Sequence, residues 1–305
     1  MYQKRIFFIQ IDKRLKKLVN KYQKDLQLAI KVFTLLFLVF ILYSVSLTIK
    51  NKTIDTAITP IDNNTSTQVP TSTPQPLPKD IFYPSQILNL TNWKVTLPVG
   101  HSENPKEIKQ PELATYAINP WFIVSQENNA VIFRAPVNGL TTSGSDYPRS
   151  ELREMADNGR VNANWNSGKG IHTLFLDQVI TAVPKVKQQV VAGQIHDDNK
   201  DIVVIRLDYP DLHIRVGGEN VHTLDVDYSL GKRFTFKFVV ENDQTKIYYN
   251  NSTDPVYLLN KKYSDAYFKV GVYTQSNCSK EKSPSLCNNN NYGEVIVYQA
   301  TVTHQ

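Results

Sequence analysis

The chain has 305 residues, 41% of them hydrophobic and 20% charged, which excludes wholesale disorder and allows a large buried core. Two cysteines exclude a disulfide-built mini-protein and a multi-cysteine zinc cluster. The formal charge of +6 invites a nucleic-acid partner only until its position is read. Residues 1–31 carry nine Lys/Arg against two acids, whereas from Asn51 onward 24 Lys/Arg face 26 Asp/Glu. The bulk of the protein is therefore slightly acidic, and no nucleic-acid partner is expected.

After the basic segment, residues 32–49 (VFTLLFLVFILYSVSLTI) hold no charge and are bounded by Lys31 and Lys50. At helical rise they would span roughly 27 Å, about the minimum for a membrane helix. The basic flank keeps the N-terminus cytoplasmic and exports the rest. The competing reading is a cleaved signal peptide, with the small-residue pattern Ser44-Val-Ser46. The long basic segment and the long apolar run favour an uncleaved anchor. Residues 50–79 follow as a Thr/Ser/Pro-rich stretch with five prolines, read as a disordered linker that holds a domain off the membrane.

Residues 80–305 read as one all-β domain. Short runs rich in β-branched and aromatic residues recur at 130–135, 172–181, 189–196, 201–209, 234–241, 266–275 and 294–303. Turn residues punctuate them at 137–139, 157–159, 217–218 and 241–243. Such a pattern means a sandwich, jelly roll or barrel. Alternation then sorts the faces, because strand side chains point to opposite sides with period two. Arg149, Glu151 and Arg153 share a face. Gln194 and His196 project together, opposite Gly193 and Ile195. Tyr267, Lys269, Tyr273 and Gln275 lie opposite Phe268, Val270 and Val272, with Gly271 read as a gap suited to a sugar. If these faces line one sheet, a cationic groove sits inside a mildly acidic domain.

Three blocks carry a resemblance: residues 147–155 (YPRSELREM), 194–196 (QIH) and 267–275 (YFKVGVYTQ). Together with 92–99 (NWKVTLPV) and 141–144 (TTSG), they resemble, in order, the signature of polysaccharide lyase family seven, the alginate lyases. The resemblance spans nearly the whole domain but neither the anchor nor the linker. It implies a concanavalin-like β-jelly roll of two antiparallel sheets, binding alginate or a related polyuronate and cleaving it by β-elimination. Position by position it implies that Arg149, Gln194 and His196 neutralise the substrate carboxylate. His196 would also be the base toward guluronate. Tyr273 would be the acid, or both acid and base toward mannuronate. Tyr267, Lys269 and Gln275 would line neighbouring subsites, Arg153 would share the role of Arg149, and Lys94 is a weaker groove candidate. For Glu151, support and substrate contact both stay open. Ile195 leans toward guluronate.

No cofactor is expected, and the acidic pairs Asp197-Asp198 and Asp225/Asp227 lack the spacing of a calcium loop. His101, His172, His213, His222 and His304 show no partner pattern and are read as structural. Cys278 and Cys287 follow the 267–275 block, and export favours a disulfide over two surface thiols. The expected protein is a membrane-anchored, monomeric, endo-acting lyase with an extracytoplasmic domain, or a secreted one if the leader is cleaved. Two other classes compete. A non-catalytic carbohydrate-binding module would have no use for a proton-transfer tyrosine. A jelly-roll glycoside hydrolase would need two carboxylates at catalytic separation.

Overall fold

The structure is a computed structural model, and it describes residues 82–305. The proposed anchor at 32–49 and linker at 50–79 lie outside the described residues, and among these no helix is long and apolar enough to cross a membrane. Sixteen strands follow in chain order: β1 (Trp93–His101), β2 (Asn104–Ile108), β3 (Phe122–Val124), β4 (Val131–Pro136), β5 (Arg149–Ala156), β6 (Val161–Asn162), β7 (His172–Ala182) and β8 (Gln189–His196). The second half adds β9 (Asp201–Asp208), β10 (Asp211–Val216), β11 (Glu219–Asp225), β12 (Arg233–Glu241), β13 (Gln244–Tyr249), β14 (Tyr257–Asn260), β15 (Tyr267–Thr274) and β16 (Tyr292–His304). The one α-helix among the described residues, α1 (Cys278–Glu281), is a single turn between β15 and β16.

The strands form two antiparallel sheets, as expected for a jelly roll. One runs β11-β10-β9-β8-β15-β5-β1-β2 with β6 beside β5, and the other β14-β13-β12-β7-β16-β4-β3. Alternation explains the core between them. Phe234, Phe236, Phe238 and Val240 of β12 and Phe268, Val270 and Val272 of β15 all join this core and are buried. Each such side chain contributes about 1.5–3 kcal/mol relative to exposure. The hairpin β12–β13 closes through Asn242 and Asp243, both at positive φ, in the geometry that matches the strand twist.

Two irregularities in the larger sheet set the site. The β8 ladder shifts register between Val191 and Gln194, and the β15–β8 ladder shifts between Lys269 and Tyr273. Strict alternation would put Ala192, Gln194 and His196 on one face. Instead Ala192 and Ile195 are both in the core, so the bulge at Gly193 resets the phase and turns Gln194 and His196 outward. The fully buried Gln178 of β7 donates its Nε2 to the Ala192 carbonyl at 2.6 Å, bridging the sheets where the ladder is interrupted. Gly193 sits at φ +136, and a Cβ there would lie 2.6 Å from Phe236 Cζ. Gly271, at φ +126, would place a Cβ 2.6 Å from the Ser150 carbonyl and 2.8 Å from Phe133 Cδ1. Gly271 is thus glycine because backbone and core crowd it, which corrects the reading of a gap left for a sugar.

Candidate active site

β5 and β15 pair so that Lys269 lies opposite Arg153, Gly271 opposite Glu151 and Tyr273 opposite Arg149. On the other side of β15, Tyr267 lies opposite His196 and Lys269 opposite Gln194. One sheet face therefore brings together eight of the nine residues expected there. The centre is Glu151, 1% exposed, whose carboxylate accepts Lys269 Nζ at 2.7 Å, Arg149 Nη1 at 3.0 Å and Gln194 Nε2 at 2.5 Å. Burial alone would push this carboxyl up. The charges of Lys269 and Arg149, with the hydrogen bonds from Lys269 and Gln194, outweigh it and hold the group below the usual carboxylate range. Lys269 is buried as well. Desolvation, then repulsion from Arg149, brings its ammonium down to about 8 against the pull of Glu151.

Around this centre stand the groups that can move protons. His196 Nδ1 contacts the Asp197 carbonyl, which can only accept, so Nδ1 carries the hydrogen and Nε2 keeps the lone pair. Burial and then the charge of Lys269 lower the imidazole pKa, which keeps it neutral and basic at neutral pH. Its ring stacks on Tyr267 at 5.5 Å between centroids. Tyr273 lies under the Arg149 guanidinium at 4.0 Å, and its hydroxyl is 2.7 Å from Ser145 Oγ. Arg149 Nε is buried and has no hydrogen-bond partner among the described residues. The rest of the guanidinium gives Nη1 to Glu151, and the side chain is 13% exposed beside the phenol.

Three expectations need correction. Arg153 does not share the role of Arg149: its Nη1 donates to the Glu154 carbonyl at 2.6 Å, Nη2 reaches the Ala163 carbonyl at 3.5 Å, and its plane packs 3.8 Å from the Tyr267 ring centre. The guanidinium is spent on backbone and on holding Tyr267. Lys94 is in register with Arg153, but its ammonium is 2.9 Å from Glu107 on β2. Gln275 lies just past the end of β15, tied by its backbone to Gln189, with its Nε2 buried and unpartnered among the described residues. No contact joins it to the Glu151 cluster. Ile195 is fully buried, as alternation implied.

Other residues escaped the sequence reading. Ser145 and Tyr147 meet Tyr273, and Lys187 from the β7–β8 connection donates to the Tyr147 hydroxyl at 2.8 Å. Arg206 of β9 lies opposite Val191 and pairs with Asp208 at 2.6 Å, with Arg215 of β10 3.6 Å from the same carboxylate. Alternation on β9 and β10 places Arg206 and Arg215 opposite the core residues Ile205 and Ile214, a signal available from sequence. His172 and His304, read as partnerless, instead meet at 2.7 Å between Nδ1 atoms, and His304 Nε2 is 2.5 Å from buried Glu154. With Trp93 and Trp165 they line a hollow of about 440 Å³ away from the Glu151 cluster. Among the described residues no group of three or more His, Cys, Asp or Glu could hold a metal ion.

Cys278 and Cys287 form the expected disulfide, with Cα atoms 4.8 Å apart. Within that loop Glu281, 1% exposed, accepts from the Val186 and Lys187 amides, Ser276 Oγ and Asn291 Nδ2. The loop is thereby pinned to the segment that presents Lys187. Replacing both cysteines with serine is expected to cost about 2–3 kcal/mol in the entropic account of so short a loop. Urea melts of the variant and the parent check this, and coincident midpoints would refute it.

Cations can neutralise a carboxylate, a neutral imidazole can take a proton, and a phenol can deliver one. The carboxylate at the centre is already bound by three donors and is not one of a hydrolytic pair. A jelly-roll sheet bearing this set is the site of a polysaccharide lyase. The comparisons with known proteins agree. The alginate lyase family model matches residues 88–304. An alginate lyase of Klebsiella pneumoniae is 26% identical, over 77% of this chain and 94% of that protein. The crystal structure of an alginate lyase from Corynebacterium sp. is 46% identical over 73% of this chain and 99% of its own, with a TM-score of 0.70. Alginate lyase AlgAT5 of polysaccharide lyase family 7 is 46% identical with the same coverage and a TM-score of 0.68. The chain belongs to the alginate lyase family and is a polysaccharide lyase acting on alginate.

Proposed function

We propose that the enzyme cleaves the 1,4-linkages of alginate by β-elimination, attacking within the chain. A proton on carbon beside a carboxylate is very weakly acidic, so that carboxylate must first be neutralised to accept charge from C5. Arg149 carries the reading: only its Nη1 is committed, to Glu151, and the side chain stays 13% exposed, so part of a guanidinium fork that matches a carboxylate still opens to the cleft. Gln194 and His196 stand on β8, across β15 from Arg149, and Gln194 shares the Glu151 carboxylate with it. On guluronate His196 Nε2 takes the C5 proton. The C–H pair forms the C4–C5 double bond, the C4–O bond breaks, and Tyr273 protonates the departing oxygen. On mannuronate Tyr273 both takes the C5 proton and returns it to the leaving oxygen. Attack within the chain is supported by the continuation of the polar face past Tyr273 to Arg206 and Arg215.

We further propose display outside the cell on an uncleaved anchor at 32–49, as a monomer; the basic flank and the uncharged run support the first. The catalytic test is direct. Alginate mixed with the enzyme should yield chains ending in an unsaturated uronate, seen by near-ultraviolet absorbance, with mid-sized oligomers early in the reaction. A flat absorbance trace would sink the reaction, and release of monomers alone would sink internal attack.

The same groups set the pH response. A proton on His196 disables the base, so kcat/KM on polyguluronate rises with pH through the lowered imidazole value and persists below the ordinary 6.5. Loss of the Lys269 proton removes a cation from the cleft, so kcat/KM falls as pH climbs through about 8. A rate profile still rising through pH 9 would contradict this assignment.

A further inference from the structure

Ser145 stands in the connection between β4 and β5 and owes its place to its neighbours. Its amide donates to the Thr142 carbonyl at 2.9 Å, and its Oγ accepts the Tyr147 amide at 3.1 Å. A serine hydroxyl has one hydrogen and two lone pairs. The Tyr147 amide occupies one lone pair. The hydrogen then has two acceptors in reach, the Tyr147 carbonyl at 3.1 Å and the Tyr273 oxygen at 2.7 Å. When Tyr273 is a phenol, it donates to the second lone pair of Ser145, and Ser145 donates to the Tyr147 carbonyl. When Tyr273 is a phenolate, the serine hydrogen rotates onto it. Both protonation states are satisfied with no heavy atom moving.

We propose that Ser145 is a positioning residue that holds Tyr273 as a phenolate for the mannuronate route and is far less needed on guluronate. The inference rests on the assignment of Tyr273 as the proton-transfer phenol. On mannuronate the phenolate must exist before the C5 proton moves. Its oxygen forms the O–H bond, the C5–H pair becomes the C4–C5 double bond, and the C4–O pair leaves with the departing chain. That oxygen then takes the same proton back from Tyr273, which ends as the phenolate it began as. On guluronate the base is His196, and Tyr273 starts as a phenol whose proton goes to the leaving oxygen. Ser145 thus donates to a charged oxygen before the C5 proton moves in one route and only after bond cleavage in the other. The Arg149 guanidinium over the Tyr273 ring serves both routes alike, so it does not create this difference.

The test is Ser145→Ala and Ser145→Thr in the full chain, assayed on polymannuronate and on polyguluronate. A hydrogen bond to a charged group is worth about 1.5–3 kcal/mol, or roughly 10- to 100-fold. Ser145→Ala should lose that much kcat on polymannuronate and only severalfold on polyguluronate, with KM nearly unchanged on both. Ser145→Thr keeps the hydroxyl and should restore most of the loss. Equal losses on the two polymers, a loss carried by KM, or no rescue by threonine would overturn the proposal and leave the lyase reading intact. An enzyme that cuts polyguluronate alone would also overturn it, because the phenolate route would have no use. A parent enzyme that releases no unsaturated product from either polymer would instead strike at the lyase reading itself. Thermal melts of both variants separate a folding defect from a chemical one.

Discussion

Tyr273→Phe is expected to cut kcat by about a thousandfold on every alginate block while KM and oligomer binding change little. The size follows from general acid–base catalysis, which contributes roughly 10²- to 10⁴-fold. The selectivity follows from the geometry. The ring that packs beneath the Arg149 guanidinium at 4.0 Å is kept, and only the hydroxyl 2.7 Å from Ser145 is lost. Ser145 retains the Tyr147 carbonyl as acceptor, so no buried donor is orphaned. The contacts that hold Arg149, Gln194 and Lys269 around Glu151 do not include the Tyr273 hydroxyl. Steady-state rates and calorimetric binding of a short alginate oligomer together check this. Retention of a tenth of the parent activity would show that another group protonates the leaving oxygen.

Much of this site was legible before the fold was known, for a physical reason. Side chains on a strand obey a period of two, so Arg149 and Glu151, or Lys269 and Tyr273, could be put on one face from spacing alone. The strand at 189–196 was read with its observed ends, and the runs around β7, β9, β12 and β15 fell within one residue at each end. What spacing does not encode is where a side chain points once it leaves the sheet. Arg149 and Arg153 are equivalent by alternation, yet one commits only its Nη1, to Glu151, while the other is consumed by two carbonyls and the Tyr267 ring. That choice depends on Ala163, ten residues on and outside the motif. Ser145 and Lys187 were invisible for the same reason, because loops have no periodicity and both act through contacts distant in sequence. The bulge at Gly193 was hidden too. Its glycine is dictated by Phe236, a residue of the opposite sheet.

Glu151→Gln carries the second large effect, because it turns a buried cluster of compensated charges into an uncompensated one. The carboxylate accepts from Lys269, Arg149 and Gln194 at once. A glutamine offers one oxygen and presents an amide to donors at the other position, so at least one buried donor loses its acceptor. Removing one partner of a buried ion pair costs about 3–5 kcal/mol, since the surviving charge stays out of water. Lys269, already down to about 8 with Glu151 present, would give up its proton near neutrality. The fold would then be relieved and the cleft would have lost a cation. Activity should fall by at least about a hundredfold, the usual cost of misplacing groups by an ångström. A second variant separates the two effects. Glu151→Gln combined with Lys269→Met removes both charges, and replacing a whole buried ion pair with apolar volume is often neutral for stability. The double variant should regain most of the lost melting temperature and none of the activity. If the single variant melts and turns over like the parent, Glu151 does not organise the cleft. If the double variant recovers activity along with stability, Lys269 has no part in holding alginate.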